Sequence, residues 1–330
     1  MKSSDIRCIE NLNNRTDVFD VRWRVTTLCN YQCDFCIQGD RKAHLKQAEG
    51  ESADIRGQVC GRLIRMLEDL SGYEAVRVSL IGGEVTILDD FPSILERLAL
   101  CGFPGSMMFD ITTNLSRDEE YYFKLCDIVR KKAAGKKRSL TIGASFYSAY
   151  ETAQRFTEKL RNVFLYSGMP QEGNPVRLTG GVPILEDADR DVLIRMQHDF
   201  AATDVRIAPI FIRNYETKTT PQIIADLHEQ REMSIRVTDI NGGVYTYQNI
   251  QALGAELEET DVFCPNGYLC DAGVRNLWID AFGNVKRCPA IGSTMSLGSI
   301  LEGNVRLLAG PQACTSDHCS CSQYGRIEKK

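Results

Sequence analysis

Six times between residues 21 and 232, a run rich in β-branched and apolar residues is followed by a segment with helical spacing. The strand-like runs are 21–27, 76–81, 106–112, 139–146, 176–184 and 205–212. The helix-like segments are 54–70, 90–100, 118–134, 149–166, 187–200 and 221–232. Such alternation predicts a parallel sheet with helices packed against it. Right-handed crossovers curl a sheet of this kind toward a barrel or part of one. The expected fold is therefore α/β, a partial (β/α)6 TIM-like barrel, with functional residues at the C-terminal ends of its strands. Beyond residue 235 the pattern changes. Residues 235–240 and 244–250 flank Asn241-Gly242-Gly243 and predict a β-hairpin, followed by short strands, turns and cysteines. The expected domains are an N-terminal extension (1–20), a core (21–234) and a small C-terminal β-hairpin domain (235–330).

Composition narrows the class of function. The chain has 330 residues, 43% hydrophobic and 25% charged, with a formal net charge of −5. There is no global basic field to displace counterions from a nucleic acid. Residues 1–20 lack the apolar core of a signal peptide, and no run of uncharged apolar residues is long enough to span a membrane. The expected compartment is a reducing cytoplasm. There, 13 cysteines read as metal ligands or catalytic thiols rather than disulfides. Cys29, Cys33 and Cys36 fall close together, and Cys264, Cys270, Cys288, Cys314, Cys319 and Cys321 fall in the last quarter. Cys8, Cys60, Cys101 and Cys126 are scattered, and core packing is their default role.

The segment Cys29-Asn-Tyr-Gln-Cys33-Asp-Phe-Cys36 directly follows the first predicted strand. Three thiolates in one loop can hold three irons of a [4Fe–4S] cluster and leave the fourth iron open. A zinc site is the alternative, but zinc favours four ligands in paired spacing. His44, the nearest histidine, sits in the charged run Arg41-Lys-Ala-His-Leu-Lys46 and is expected to face solvent. This CX3CX2C pattern after the first strand, with Phe35 before the last cysteine, resembles the signature of radical S-adenosylmethionine (SAM) enzymes. The resemblance covers about residues 18–215. It implies that Cys29, Cys33 and Cys36 bind the cluster, and that Gly82-Gly83-Glu84 is the motif whose backbone binds the methionyl amino group. It also implies that Thr113-Asn114 lies near the active site and that Ser145 contacts the ribose. In that family the amine and carboxylate of SAM chelate the open iron. An electron from the cluster then breaks the C5′–S bond, and the resulting 5′-deoxyadenosyl radical takes hydrogen from an unactivated carbon. Arg177 and Arg213 are candidates to hold an anionic substrate group, or else make surface ion pairs.

Cys270 is followed by 12 residues, Gly283, four residues and Cys288. Residues 276–279 and 285–287 flank that glycine turn and predict a hairpin that brings the two cysteines together. The spacing, with Leu297-Gly298-Ser299-Ile300 after it, resembles the SPASM and twitch extensions of radical SAM enzymes. The further cysteine run of a full SPASM module is absent, so the resemblance implies a twitch-like module with one auxiliary [4Fe–4S] cluster. Cys270 and Cys288 are its expected ligands, and Cys264 resembles an additional upstream ligand. The rest come from Cys314, Cys319 and Cys321, with His318 able to replace a thiolate. Zinc at this site stays open, since spacing alone does not name a metal. A spare Cys264 or Cys314 is a candidate hydrogen donor.

The function implied is hydrogen abstraction from a peptide, as in maturation of ribosomally made peptides, or from a small natural-product precursor. Oxidation or cross-linking comes first, with the auxiliary cluster as electron acceptor and a flavodoxin- or ferredoxin-type reductant. The alternatives are an epimerase using a spare cysteine and a sugar or alcohol dehydrogenase. The non-enzymatic alternative is an iron–sulfur or zinc protein such as an electron carrier.

Overall fold

The computed structural model describes residues 5–12, 17–34, 36, 41–168, 175–184, 187–211, 235–247, 266–289, 295–316 and 326–329. In chain order the elements begin with β1 (Ile6–Asn11), β2 (Val18–Thr26), α1 (Arg41–Gln47), α2 (Ala53–Glu68), β3 (Ala75–Gly82) and α3 (Phe91–Leu100). Then come β4 (Ser106–Thr113), α4 (Glu119–Asp127), β5 (Arg138–Ser145), α5 (Ala153–Ser167), β6 (Val176–Ile184), α6 (Asp187–Phe200) and β7 (Arg206–Phe211). The last strands are β8 (Ile235–Asp239), β9 (Val244–Tyr247), β10 (Leu269–Cys270), β11 (Asn276–Ile279), β12 (Asn284–Lys286), β13 (Ser296–Ser299), β14 (Gln312–Ala313) and β15 (Arg326–Glu328). They form two compact units. The larger comprises Trp23–Thr219 with Asp280–Phe282, and the smaller Met1–Arg22, Thr220–Ile279 and Gly283–Lys330.

The larger unit is the expected mixed α/β arrangement. Its strands lie in the order β2-β3-β4-β5-β6-β7. From β3 to β7 every pairing is parallel. Period-two alternation gives each strand two different faces. Val76, Val78, Leu80, Phe109, Ile111, Leu140 and Ile142 are buried. Arg77, Ser79, Asp110, Thr141 and Ser145 occupy the alternate positions and stay partly exposed. Parallel sheets commonly bury both faces in apolar contacts, so a polar second face marks where a ligand can be met. Consecutive helices pack on one another from α2 through α6. Their starts are set by side-chain caps: Ser52 accepts from the Ile55 amide at 3.2 Å, Asp118 from Tyr121 at 3.1 Å and Thr152 from Arg155 at 3.3 Å. The Thr152 cap delays the helix expected at 149–166 until Ala153, which leaves Tyr147 to Thr152 as a loop over the strand ends. The helix expected at 118–134 ends at Asp127 and continues as a wider π turn over Ile128–Lys132. The helix expected at 221–232 lies outside the described residues.

Cys60, Cys101 and Cys126 are core residues, as their sequence context suggests. Burial pushes the Cys60 thiol up to about 11 and Cys126 up to about 12. Both then stay protonated at mildly alkaline pH, where a free thiol begins to ionise. We expect iodoacetamide to leave these two unmodified in the native protein at that pH and to label them after unfolding, as read by peptide mass spectrometry.

In the smaller unit the strands lie in the order β14-β10-β15-β1-β8-β9, with antiparallel pairings. The expected β8–β9 hairpin forms. Gly242 turns at φ +86°, and one Asp239 carboxylate oxygen accepts from the Asn241 and Gly243 amides, each at 2.8 Å. Residues 248–250, expected to extend its second strand, lie outside the described residues. The hairpin expected around Gly283 is present as well, with Trp278 opposite Lys286 and Ile279 opposite Val285. β1 lies inside the six-stranded sheet, between β15 and β8, although residues 1–20 carry no obvious strand pattern. Among the described residues no helix is long and apolar enough to cross a membrane.

Candidate functional site

The end of β2 is fixed by a part-buried polar anchor. Thr26 and Thr27 donate their hydroxyls to the Glu51 carboxylate, each at 2.6 Å, and the Thr27 amide adds a third bond at 2.8 Å. Beside it, β3 ends on Gly82, and Gly83 follows. The Gly83 amide donates to Thr26 O at 3.0 Å and the Glu84 amide to Leu28 O at 2.8 Å. A Cβ on Gly82 would lie 2.6 Å from Thr26 O, and one on Gly83 would overlap the Leu28 carbonyl. The two glycines are therefore required by close backbone approach. Gly83→Ala is expected to cost about 3 kcal/mol of stability. Chemical denaturation of the metal-free protein would measure it, and an unchanged midpoint would show that the backbones part freely.

Glu84 is 2% exposed. One oxygen accepts from the Thr86 amide at 3.0 Å and its hydroxyl at 2.7 Å, while the other accepts from the Asn114 amide. Burial raises its pKa against these hydrogen bonds, which favour the charged form. Glu84 thus ties the end of β3 to the end of β4. Thr113 is buried behind it, 3.4 Å from the Thr86 hydroxyl and 3.2 Å from the Tyr122 hydroxyl. Asn114 faces the cysteine segment. Its Nδ2 donates to Asn30 Oδ1 at 2.8 Å, and Asn30 in turn donates to Ser116 Oγ at 2.9 Å. Ser145 ends β5, opposite Gly181 of β6.

The three cysteines follow β2 directly, and all three thiols are partly exposed. The Tyr31 amide donates to Cys29 Sγ at 3.4 Å. Tyr150, in the loop after β5, holds the same segment. Its hydroxyl accepts from the Gln32 amide at 2.6 Å and donates to Gln32 O at 2.7 Å, while its ring stacks on Tyr31 at 4.2 Å. Burial raises the Cys29 thiol, and Cys33 is pushed up to about 12 by burial, with the charges of Cys29, Cys36 and Asp34 adding to it. The neighbouring charges that oppose ionisation of Cys33 suit a shared cationic centre, which relieves that repulsion. The donor set therefore fits an iron–sulfur cluster. Among the described residues no three ligating side chains are drawn in around a single ion. A cluster binds each thiolate at a different iron and so spreads them more widely than one ion does.

His44 corrects its expected placement: it is 5% exposed and its Nε2 lies 3.3 Å from Cys36 Sγ. Arg177 is the second residue of β6, paired with Thr141, so it sits at the far end of the strands from the cysteine segment. It is not part of this constellation. Arg213 lies outside the described residues.

In the smaller unit, Cys270 and Cys288 are buried in one cluster with Ile6, Ile9, Tyr247 and Tyr268, and Cys314 packs against it. The Cys314 thiol is raised by burial and by Cys288, and lowered by Arg287. Arg287 is 3% exposed. It donates to the carbonyls of Cys270 (2.8 Å), Ala313 (3.0 Å), Ala272 (3.2 Å) and Gln312 (3.2 Å), joining the two strands that carry Cys270 and precede Cys314. Cys8, on β1, is buried outside this cluster. Cys264, His318, Cys319 and Cys321 lie outside the described residues.

No family model matches the chain. Over 107 residues it is 29% identical to a GTP 3′,8-cyclase of Psychromonas ingrahamii, a stretch covering 32% of this chain and 28% of that protein. Over 119 residues it is 29% identical to a GTP 3′,8-cyclase of Mannheimia succiniciproducens, covering 36% of this chain and 31% of that one. The chain thus matches less than a third of the length of these curated relatives. Its fold resembles that of Streptococcus suis SuiB in the crystal structure bound to S-adenosylmethionine. The TM-score is 0.54 at 14% identity, and the match covers 87% of this chain and 62% of that one. These likenesses run to one class, the radical SAM enzymes.

Proposed function

We propose that the chain is a radical SAM enzyme whose Cys29, Cys33 and Cys36 hold a [4Fe–4S] cluster and whose sheet is a partial barrel around the substrate. The observation that carries this reading is the grouping of three partly exposed thiols at the end of β2, beside the Gly82-Gly83-Glu84 clamp and the polar face of a parallel sheet. When bound, the cluster and SAM supply reductive sulfonium cleavage and hydrogen abstraction from an unactivated carbon. The protein's part is positional. Glu51 and Tyr150 fix the cysteine segment from two sides, Glu84 and Asn114 fix the strand ends beneath it, and Ser145 offers a hydroxyl at the sheet's polar face. Gly82 and Gly83 keep the backbone low enough for the methionyl amino group to reach main-chain acceptors.

Cys270, Cys288 and Cys314, with a further ligand from Cys264, Cys319 or Cys321, hold one auxiliary cluster in this proposal. Its support is the shared core of the first three and the buried Arg287 cation beside them. The substrate is a ribosomally made peptide or a small natural-product precursor, and the outcome an oxidation or cross-link. A flavodoxin- or ferredoxin-type protein in a reducing cytoplasm delivers the electrons. If Cys314 is left unligated, epimerisation with Cys314 as hydrogen donor becomes the second reading. Anaerobic reconstitution followed by reduction with dithionite and SAM tests the proposal. About eight irons, four per cluster, and formation of 5′-deoxyadenosine are expected. A loaded protein that leaves SAM intact would point to an electron carrier.

A further inference from the structure

We infer that His44 is a positioning residue for the Cys36 thiolate: its Nε2–H donates to the sulfur, orients it, and raises the reduction potential of the cluster that Cys36 helps to hold. The inference rests on Cys36 being an iron ligand, as proposed above.

α1 is a short, charged helix on which simple amphipathic packing would turn Leu45 inward and His44 outward. The reverse holds. His44 is 5% exposed and Leu45 57% exposed. Burying an imidazole is unfavourable unless it finds a polar partner, and Cys36 Sγ lies 3.3 Å from its Nε2. The distance suits a hydrogen bond to sulfur. Between a thiol and an imidazole the proton can lie on either side. A thiolate bound to iron has no proton to give, so only the N–H···S direction remains. Such contacts around ligands orient them and tune the metal centre. The reduced cluster carries one more negative charge than the oxidised one. A donor on a ligand sulfur therefore stabilises the reduced form more and raises the potential.

The test is a redox titration of the full, anaerobically reconstituted chain, following the EPR signal that changes when SAM is added. His44→Phe fills the buried space without a donor, and His44→Gln keeps an N–H donor. The expected result is a lower midpoint potential in His44→Phe, with His44→Gln returning toward the wild-type value. Loss of the cluster in His44→Phe with retention in His44→Gln supports the same conclusion. Equal potentials in all three proteins would overturn it, as would loss of the cluster from both variants while circular dichroism shows them folded. Absence of any SAM-responsive cluster in the unmodified protein would instead strike the reading on which the inference rests.

Discussion

Cys33→Ala is expected to reduce 5′-deoxyadenosine formation to the level of a protein-free control. Cys33 lies between the other two thiols in the segment, and burial, with the charges of Cys29, Cys36 and Asp34 adding to it, pushes its thiol up to about 12. A thiol raised this far needs a bound metal to become a thiolate near neutral pH. Removing it leaves two thiols in the loop, too few to hold a cluster with a single open iron. The fold should survive. The segment's main-chain anchors come from Glu51 through Thr27 and from Tyr150 through Gln32, not from the Cys33 side chain. The measurement is quantified 5′-deoxyadenosine, with iron content and circular dichroism alongside. Undiminished product from a folded Cys33→Ala protein would contradict the assignment of this loop.

Cys270→Ala and Cys288→Ala are expected to separate the two halves of the reaction. Both residues belong to the smaller unit, whereas Glu84 and the three-cysteine segment belong to the larger. Cleavage of SAM should therefore continue, while product from the physiological substrate should be lost. Mutation also opens the core. Cys270 and Cys288 pack with Ile6, Ile9 and Tyr268, and Arg287 stays buried with its charge among carbonyls. Metal binding and local folding are coupled in such sites. A cooperative melt of the smaller unit should therefore fall in temperature, and thermal unfolding must be recorded beside the product assay. Normal product yield from either variant would remove the electron-acceptor role. A free Cys314 would then lead as hydrogen donor.

The parallel sheet and the cysteine loop were legible because their signals are local: period-two runs, helical spacing and three thiols within a few residues. Strand ends were legible as well, since Gly82-Gly83-Glu84 and Thr113-Asn114 fall where β3 and β4 stop. What holds the cysteine segment was not. Glu51 reaches Thr27 across 24 residues and Tyr150 reaches Gln32 across 118, pairings that no local pattern encodes. His44 misled because a histidine in a charged run reads as solvent-facing, and only tertiary placement reveals Cys36 beside it. Arg287 reads as one more strand cation until its four carbonyl partners gather around it. β1 escaped because its apolar residues Ile6 and Ile9 fall out of step across an irregular register between Ile6 and Cys8.

If Cys29, Cys33 and Cys36 hold three irons of the cluster, the fourth is left for SAM. Electron–nuclear double resonance on the reduced, reconstituted protein with SAM labelled by nitrogen-15 in its methionyl amine tests that claim directly. A hyperfine coupling between the labelled nitrogen and the cluster is expected, present in the unmodified protein and absent in Cys33→Ala. A loaded protein that shows no coupling to the label would mean that SAM does not bind the open iron and would contradict the account.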